Sequence, residues 1–325
     1  MNRFIFTCGD PNGIGPEIVI KTLNEVVDNK SEFIFICPKN VFLQNITSVV
    51  PKFKYSFYPD NIQVTSAIGR VNIIESRGGK ISPGKPTKTS GMISYQSLNT
   101  ALNLIGNEKT AAIITAPISK KAWKLNSIKY SGHTDFLGEE FNVKNPLMLF
   151  YSKKMIAALT TIHNPIKDVS RLITKVKLKS IIDSILISLK TDFQISEPRI
   201  AVLGLNPHAG EDGNIGEEEL TKILPVVKEY SKYAYGPYVP DAFFGMKLYK
   251  EFDAVLGMYH DQVLIPFKML DIKKGVNFTA NLPLVRTSPD HGTAFDIAYR
   301  GKANHESMVE AFKLAKKVLT NRKHS

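Results

Sequence analysis

Short runs rich in Val, Ile, Phe and Ala recur along the chain and alternate with longer segments whose apolar positions fall three or four residues apart. Two such periods in alternation mark strands joined by amphipathic helices, an α/β protein with a largely parallel sheet. The runs 3–8, 33–37, 71–75, 111–116, 155–161, 199–205 and 253–258 predict strands, several of them apolar at nearly every position, as strands covered on both faces are. Segments 16–27, 92–105, 168–189, 217–230 and 305–319 predict helices; in the second, Ile93, Leu98, Leu102 and Ile105 return near helical spacing. Residues 76–90, SRGGKISPGKPTKTS, are breaker-rich and predict an exposed loop. No repeat or linker-like tract divides the chain, so two lobes would have to be intertwined.

Composition narrows the class. A chain of 325 residues with 43% apolar content can bury a sizeable core. The first residues, MNRFIFTCGD, lack a signal-peptide apolar region, and no run approaches the roughly 18 apolar residues of a membrane span. A soluble cytoplasmic protein is expected. Cys8 and Cys37 lie within apolar strand-like runs and predict buried, reduced thiols. The net charge of +12 is spread along the sequence and interleaved with Asp and Glu, with no basic stripe carrying aromatic residues, which speaks against nucleic acid. Such a field suits small anions, phosphorylated or carboxylated.

Three histidines stand in polar turns: His163 in TTIHNP, His208 in GLNPHAGEDGN and His260 in GMYHDQ. Imidazole is the commonest neutral ligand of Zn²⁺ and its relatives, and three protein ligands leave a catalytic ion one open position. Spacings of 45 and 52 residues exclude a single-helix motif, so the fold would have to assemble the site. The first strand runs into GDPNGIGPEI, a glycine-rich turn feeding a helix, with Pro16 suited to its first position and Glu17 to its positive end. Its glycines do not follow the Rossmann spacing, and a Rossmann nucleotide site is rejected.

The segments GDPNGIGPE, YSGHTDFL (130–137), NPHAGEDGNIGEEE (206–219), YHDQVLIPFK (259–268) and GVNFTANLPLVRTSPDHGTAFDIA (275–298) together resemble the 4-hydroxythreonine-4-phosphate dehydrogenase family of pyridoxal phosphate biosynthesis, in the family's order and over nearly the whole chain. The resemblance implies a three-layer α/β/α fold like that of isocitrate and isopropylmalate dehydrogenases, with two intertwined lobes and the active site in the cleft between them. Lobe 1 is expected at about 1–125 plus 290–325, and lobe 2, with the metal ligands and a dimer interface, at about 126–289.

By the same resemblance His163, His208 and His260 are the ligands of one divalent ion (Zn, Mg or Co), two from one subunit and one from its partner in a homodimer. His133, Thr134, Lys268, Asn277 and Arg286 match substrate-binding positions; an ammonium and a planar guanidinium suit phosphate and carboxylate. Asp241, Asp261 and Lys268 are candidates for the base. The loop HGTAFDIAYRGKAN resembles a dinucleotide loop, which gives His291, Gly292, Thr293, Ala294, Asp296 and Asn304 to NAD (or NADP). The implied reaction is oxidation of 4-phosphooxy-L-threonine at C3, with decarboxylation to 3-amino-2-oxopropyl phosphate. Ala242 and Asn281 depart from the family pattern and keep open a related phosphorylated hydroxy acid, such as erythronate or threonate 4-phosphate, or a cyclic dihydrodiol carboxylate. A metal-dependent hydrolase or lyase would use the three histidines but not the dinucleotide-like loop, and a non-catalytic binding protein would need neither.

Overall fold

The computed structural model describes residues 1–323 apart from 61–67, 107 and 145. Its strands are β1 (Asn2–Thr7), β2 (Ser31–Ile36), β3 (Lys54–Pro59), β4 (Arg70–Glu75), β5 (Ala111–Thr115), β6 (Leu147–Tyr151), β7 (Ile156–Leu159), β8 (Ile200–Leu203), β9 (Ala234–Tyr238), β10 (Ala254–Gly257), β11 (Val276–Ala280) and β12 (Val285–Pro289). The chain divides into two compact units, Met1–Lys144 with Leu282–Thr320, and Asn145–Asn281 with Asn321–Ser325. The crossings therefore fall after 144, 281 and 320, where the sequence suggested about 125 and 290. Packing explains the first shift: Phe136 and Leu137 of the helix His133–Glu140 are buried in one cluster with Ile113 and Trp123, which holds 126–144 in the first unit.

In the first unit the strand order is β3-β4-β2-β1-β5-β12, parallel throughout. Consecutive residues of a strand face opposite sides, so each side has its own core. Ile5, Ile34, Ile74 and Ile113 pack with Leu98 and Leu102 of the helix Lys88–Ile105 and with Trp123. Phe4 and Phe33 meet Phe312 of the helix Glu306–Arg322 at ring separations of 4.7 and 5.9 Å. Helices thus cover both faces of this unit. The second unit has the order β11-β6-β7-β10-β8-β9; β7, β10, β8 and β9 run parallel, while β6 is antiparallel to both neighbours. Its core gathers Phe150, Leu159, Leu203, Phe243, Val255, Val263 and Phe267.

All seven strands expected from the sequence are present; β3, β6, β9, β11 and β12 were not anticipated. The single helix expected over 168–189 is two, Ile166–Leu172 and Lys175–Thr191, because Thr174 is extended and its hydroxyl caps Lys177 N. The stretch 217–230 begins as a π-turn, Glu219–Ile223, ahead of Pro225. The loop at 76–90 is only partly exposed. Asn12, fully buried, fastens it: Oδ1 accepts from Ser82 N, the backbone carbonyl from Gly84 N, and Nδ2 donates to Lys85 O and Thr87 Oγ1. Cys8 and Cys37 are free and buried, and burial pushes the Cys37 thiol up, as expected for inert structural thiols. The last helix continues to Arg322; the final two residues of the chain lie outside the described ones.

Candidate functional site

In the second unit each of the three histidines follows the C-terminal end of one of three neighbouring parallel strands, the usual position for ligand sites in α/β sheets. Beyond β7 and β10 the chain segments stay paired: Thr160 N donates to Gly257 O, Thr161 N to Met258 O, and Thr161 Oγ1 to Met258 O at 2.7 Å. This pairing carries His163 alongside His260, with ring centroids 5.9 Å apart. Both line a cleft of about 260 Å³ with Ile162, Asn164, Tyr259 and Asp261. His260 opens the helix His260–Asp271, and its Nδ1 lies 2.6 Å from Asp261 Oδ1. A carboxylate there fixes the hydrogen on Nδ1 and leaves Nε2 as the available lone pair.

His208 does not join them. It is exposed, and among the described residues no group of three His, Cys, Asp or Glu side chains is placed to share an ion. The loop that carries it is unusual: His208, Ala209, Gly210, Glu211 and Asp212 all have φ between 43 and 82°, a left-handed run that side chains other than glycine adopt only under constraint. Glu219 supplies constraint. Buried to 2% exposure, its carboxylate accepts from Leu205 N, Asn206 N and Asn206 Nδ2. One chain therefore offers two neighbouring imidazoles, with the Asp261 carboxylate turned to His260 Nδ1, a set that fits a divalent cation only once a further ligand is added.

Asp241 is exposed in the first turn of the helix Pro240–Gly245. Lys268 is exposed in the last turn of His260–Asp271, and Asn277 is half-buried on β11 with its Oδ1 buried and accepting no hydrogen bond among the described residues. Asn281 has φ 62° and donates to Ser184 O. Asparagine tolerates that conformation, so the departure from the family pattern at this position is met by the backbone.

His133 and Arg286, which the sequence assigned to the second lobe, both belong to the first unit. Arg286 lies on β12 opposite Ile113, is 3% exposed, and donates through Nε and Nη2 to Thr115 Oγ1 at 3.0 and 2.7 Å. Burial draws its pKa down to about 9, so it stays cationic at neutral pH. His133 sits edge-on to Trp123, and burial, reinforced by the Arg286 charge, holds its pKa well below the usual histidine value. A buried guanidinium beside a neutral imidazole favours an anion. Thr134, the next residue, is half-buried.

The dinucleotide-like loop also lies in the first unit and packs on the glycine-rich turn. Ile14 N donates to Thr293 O at 3.0 Å, and a Cβ on Gly13 would stand 2.6 Å from the same oxygen, so only glycine permits this approach. Tyr299 OH donates to Pro11 O. Glu17 and Lys21 hold the loop's far end: Lys21 Nζ donates to Glu17 Oε1, Gly301 O and Ala303 O, and Ala303 N donates to Glu17 Oε1. Gly292 and Asp296 are exposed, and Ala294 is in the left-handed region at φ 39°. Asn304 forms a local turn, accepting from Glu306 N and donating to Glu306 Oε1. His291 Nδ1 lies 3.1 Å from Gly292 O, its Nε2 is buried without a hydrogen bond among the described residues, and burial lowers its pKa.

Sequence reasoning passed over Asp10, fully buried, whose Oδ1 accepts from Asn12 N and Oδ2 from Ser90 Oγ. Thr115, Glu219 and Gln262 were missed too. Each looks in sequence like an ordinary turn, strand or helix residue, and only its contacts single it out.

The pyridoxal phosphate biosynthetic protein PdxA family matches residues 29–315. A 4-hydroxythreonine-4-phosphate dehydrogenase of Prosthecochloris aestuarii is 38% identical, over 99% of this chain and 98% of its own. The crystal structure of a 4-hydroxythreonine-4-phosphate dehydrogenase from Klebsiella pneumoniae superposes with a TM-score of 0.85 at 32% identity, covering 98% of both chains. A β-decarboxylating dehydrogenase from Thermococcus kodakarensis, 12% identical with a TM-score of 0.50 over 98% of this chain and 83% of its own, shares the fold alone. The chain therefore belongs to the PdxA family, and like the dehydrogenases it resembles it is an oxidoreductase.

Proposed function

We propose that the protein oxidises 4-phosphooxy-L-threonine at C3 with NAD (or NADP) as hydride acceptor, requires one divalent cation, and releases CO₂ to give 3-amino-2-oxopropyl phosphate. The observation that carries this reading is the pairing of His163 with His260 at the ends of two adjacent parallel strands, in a family whose relatives are named for that dehydrogenation. His163 and His260 hold the ion, with Asp261 orienting His260, and His208 of the partner subunit completes the set. A cation bound there supplies Lewis acidity to the C3 oxygen during oxidation and decarboxylation.

The chain's own groups do the rest. Arg286 neutralises an anionic group of the substrate, and the neutral His133 offers a hydrogen bond without adding charge. Thr134, Lys268 and Asn277 keep their expected substrate roles, and the idle Asn277 Oδ1 suits a substrate N–H or O–H. Asp261 is engaged with His260, which leaves Asp241 and Lys268 as candidates to accept the hydroxyl proton. Residues 291–304 hold the adenosine half of the cofactor, where His291 Nε2 can accept a hydrogen bond. A homodimer is supported by Ile265, Met269 and Ile272, exposed to 57%, 83% and 71% on or just beyond the helix that bears His260.

The test is substrate-dependent NADH formation across a panel of phosphorylated hydroxy acids, with the product identified by mass. Turnover of 4-phosphooxy-L-threonine above the erythronate and threonate phosphates is expected. Preference for another member of the panel would refute the substrate assignment, and no reduction of either cofactor would refute the dehydrogenase.

A further inference from the structure

Gln262 is the third residue of the helix His260–Asp271, and its amide is used at both ends. Oε1 accepts from Met258 N at 2.7 Å, closing the turn that presents His260. Nε2 donates to Gly204 O at 2.6 Å, just past the end of β8, where the chain sets out toward His208. Gly257 leaves space for this arrangement, since a Cβ there would lie 2.0 Å from Val263 Cγ2 and 3.1 Å from Gln262 Oε1. The turn that Oε1 closes also receives the bonds from Thr160 and Thr161, so the segment leading to His163 rests on the same backbone. One side chain is thereby linked, through one or two hydrogen bonds, to the backbone that presents each of the three histidines.

We propose that Gln262 is a positioning residue that sets divalent-cation affinity by locking the turn before His260 to the segment that leads to His208. The inference rests on the metal reading given above. The chemistry requires an amide, because one end must accept from an N–H while the other donates to a carbonyl; a carboxylate can do only the first, and a thioether accepts only weakly and donates nothing.

The experiment is titration of the metal-free full-length protein with Co²⁺, followed by calorimetry and the visible ligand-field spectrum. Wild type, His163→Ala, Gln262→Glu and Gln262→Met are compared, with thermal unfolding of each metal-free protein alongside. Loss of an outer-shell contact weakens metal binding about 10–100-fold, and that rise in Kd, with an altered spectrum, is expected for both Gln262 variants. A lowered melting temperature with unchanged Co²⁺ affinity and spectrum would overturn the proposal while leaving the metal site standing, provided His163→Ala binds more weakly than wild type. Equal Co²⁺ binding by wild type and His163→Ala would overturn the metal reading itself, and this proposal with it. Should Gln262→Met fail to fold, Gln262→Glu keeps the bond from Met258 N and decides alone.

Discussion

Replacing Asp10 by Asn should stabilise the protein at alkaline pH and leave it little changed in acid. Burial of this carboxyl raises its pKa from 3.8 to about 6, against the opposing hydrogen bonds from Asn12 N and Ser90 Oγ. An acid whose folded pKa exceeds its unfolded value is penalised for ionising in the fold. The penalty is complete above pH 6 and vanishes as pH falls through the unfolded value. At about 1.4 kcal/mol per pH unit the shift corresponds to about 3 kcal/mol. Asparagine can inherit the network: its oxygen would accept from Asn12 N, its amide would donate to Ser90 Oγ, and the Ser90 hydroxyl has Thr87 O at 3.1 Å as an alternative acceptor. Urea unfolding of both proteins from pH 8 to pH 5 measures the effect. The variant should gain up to about 3 kcal/mol at pH 8, with about half of that gone by pH 5. A variant no more stable than wild type at pH 8, or a gap that does not narrow in acid, would refute the argument that Asp10 is a desolvated carboxylate.

Arg286→Lys keeps the charge but loses the fork that grips Thr115 Oγ1; the KM for the phosphorylated substrate should rise by about tenfold or more while that for NAD stays put, and steady-state kinetics will show otherwise if Arg286 is structural. Gly13→Ala drives a Cβ against Thr293 O and should raise the KM for NAD ahead of that for substrate, whereas equal cofactor binding by calorimetry would separate the loop from NAD. Phe312→Ala removes the ring shared by Phe4 and Phe33 and should cost about 3–5 kcal/mol by urea unfolding; a loss below about 1 kcal/mol would contradict the packing described for that face.

The buried parallel strands were legible because residues such as Phe4, Ile5, Phe33 and Ile113 form unbroken apolar runs. Strands that carry working polar groups were not: Asn277 interrupts β11 and Arg286 stands in β12, so both segments read as motif loops. The helix beginning at His260 was hidden by Pro266 in its interior, and β3, at the end of the strand order, has no fully buried residue and shows little apolar patterning. Candidate residues were found wherever they stood in distinctive turns. Their supports were not, because Gln262, Glu219 and Thr115 act through hydrogen bonds to backbone or to another side chain, which leave no spacing signal. The left-handed loop at 208–212 that carries His208 is likewise something composition does not announce.

A shared metal site makes one demand that no single-chain site makes. His163→Ala and His208→Ala should each be inactive as homodimers, yet one heterodimer built from the two retains an intact set: His163 and His260 from one chain, His208 from the other. Co-expression at equal levels should therefore restore NADH formation from 4-phosphooxy-L-threonine to about one quarter of the wild-type rate, since about half of the dimers are mixed and each mixed dimer has one complete site. Activity that stays at the level of the separate variants, with heterodimers verified by mass spectrometry, would contradict a site completed by the partner subunit.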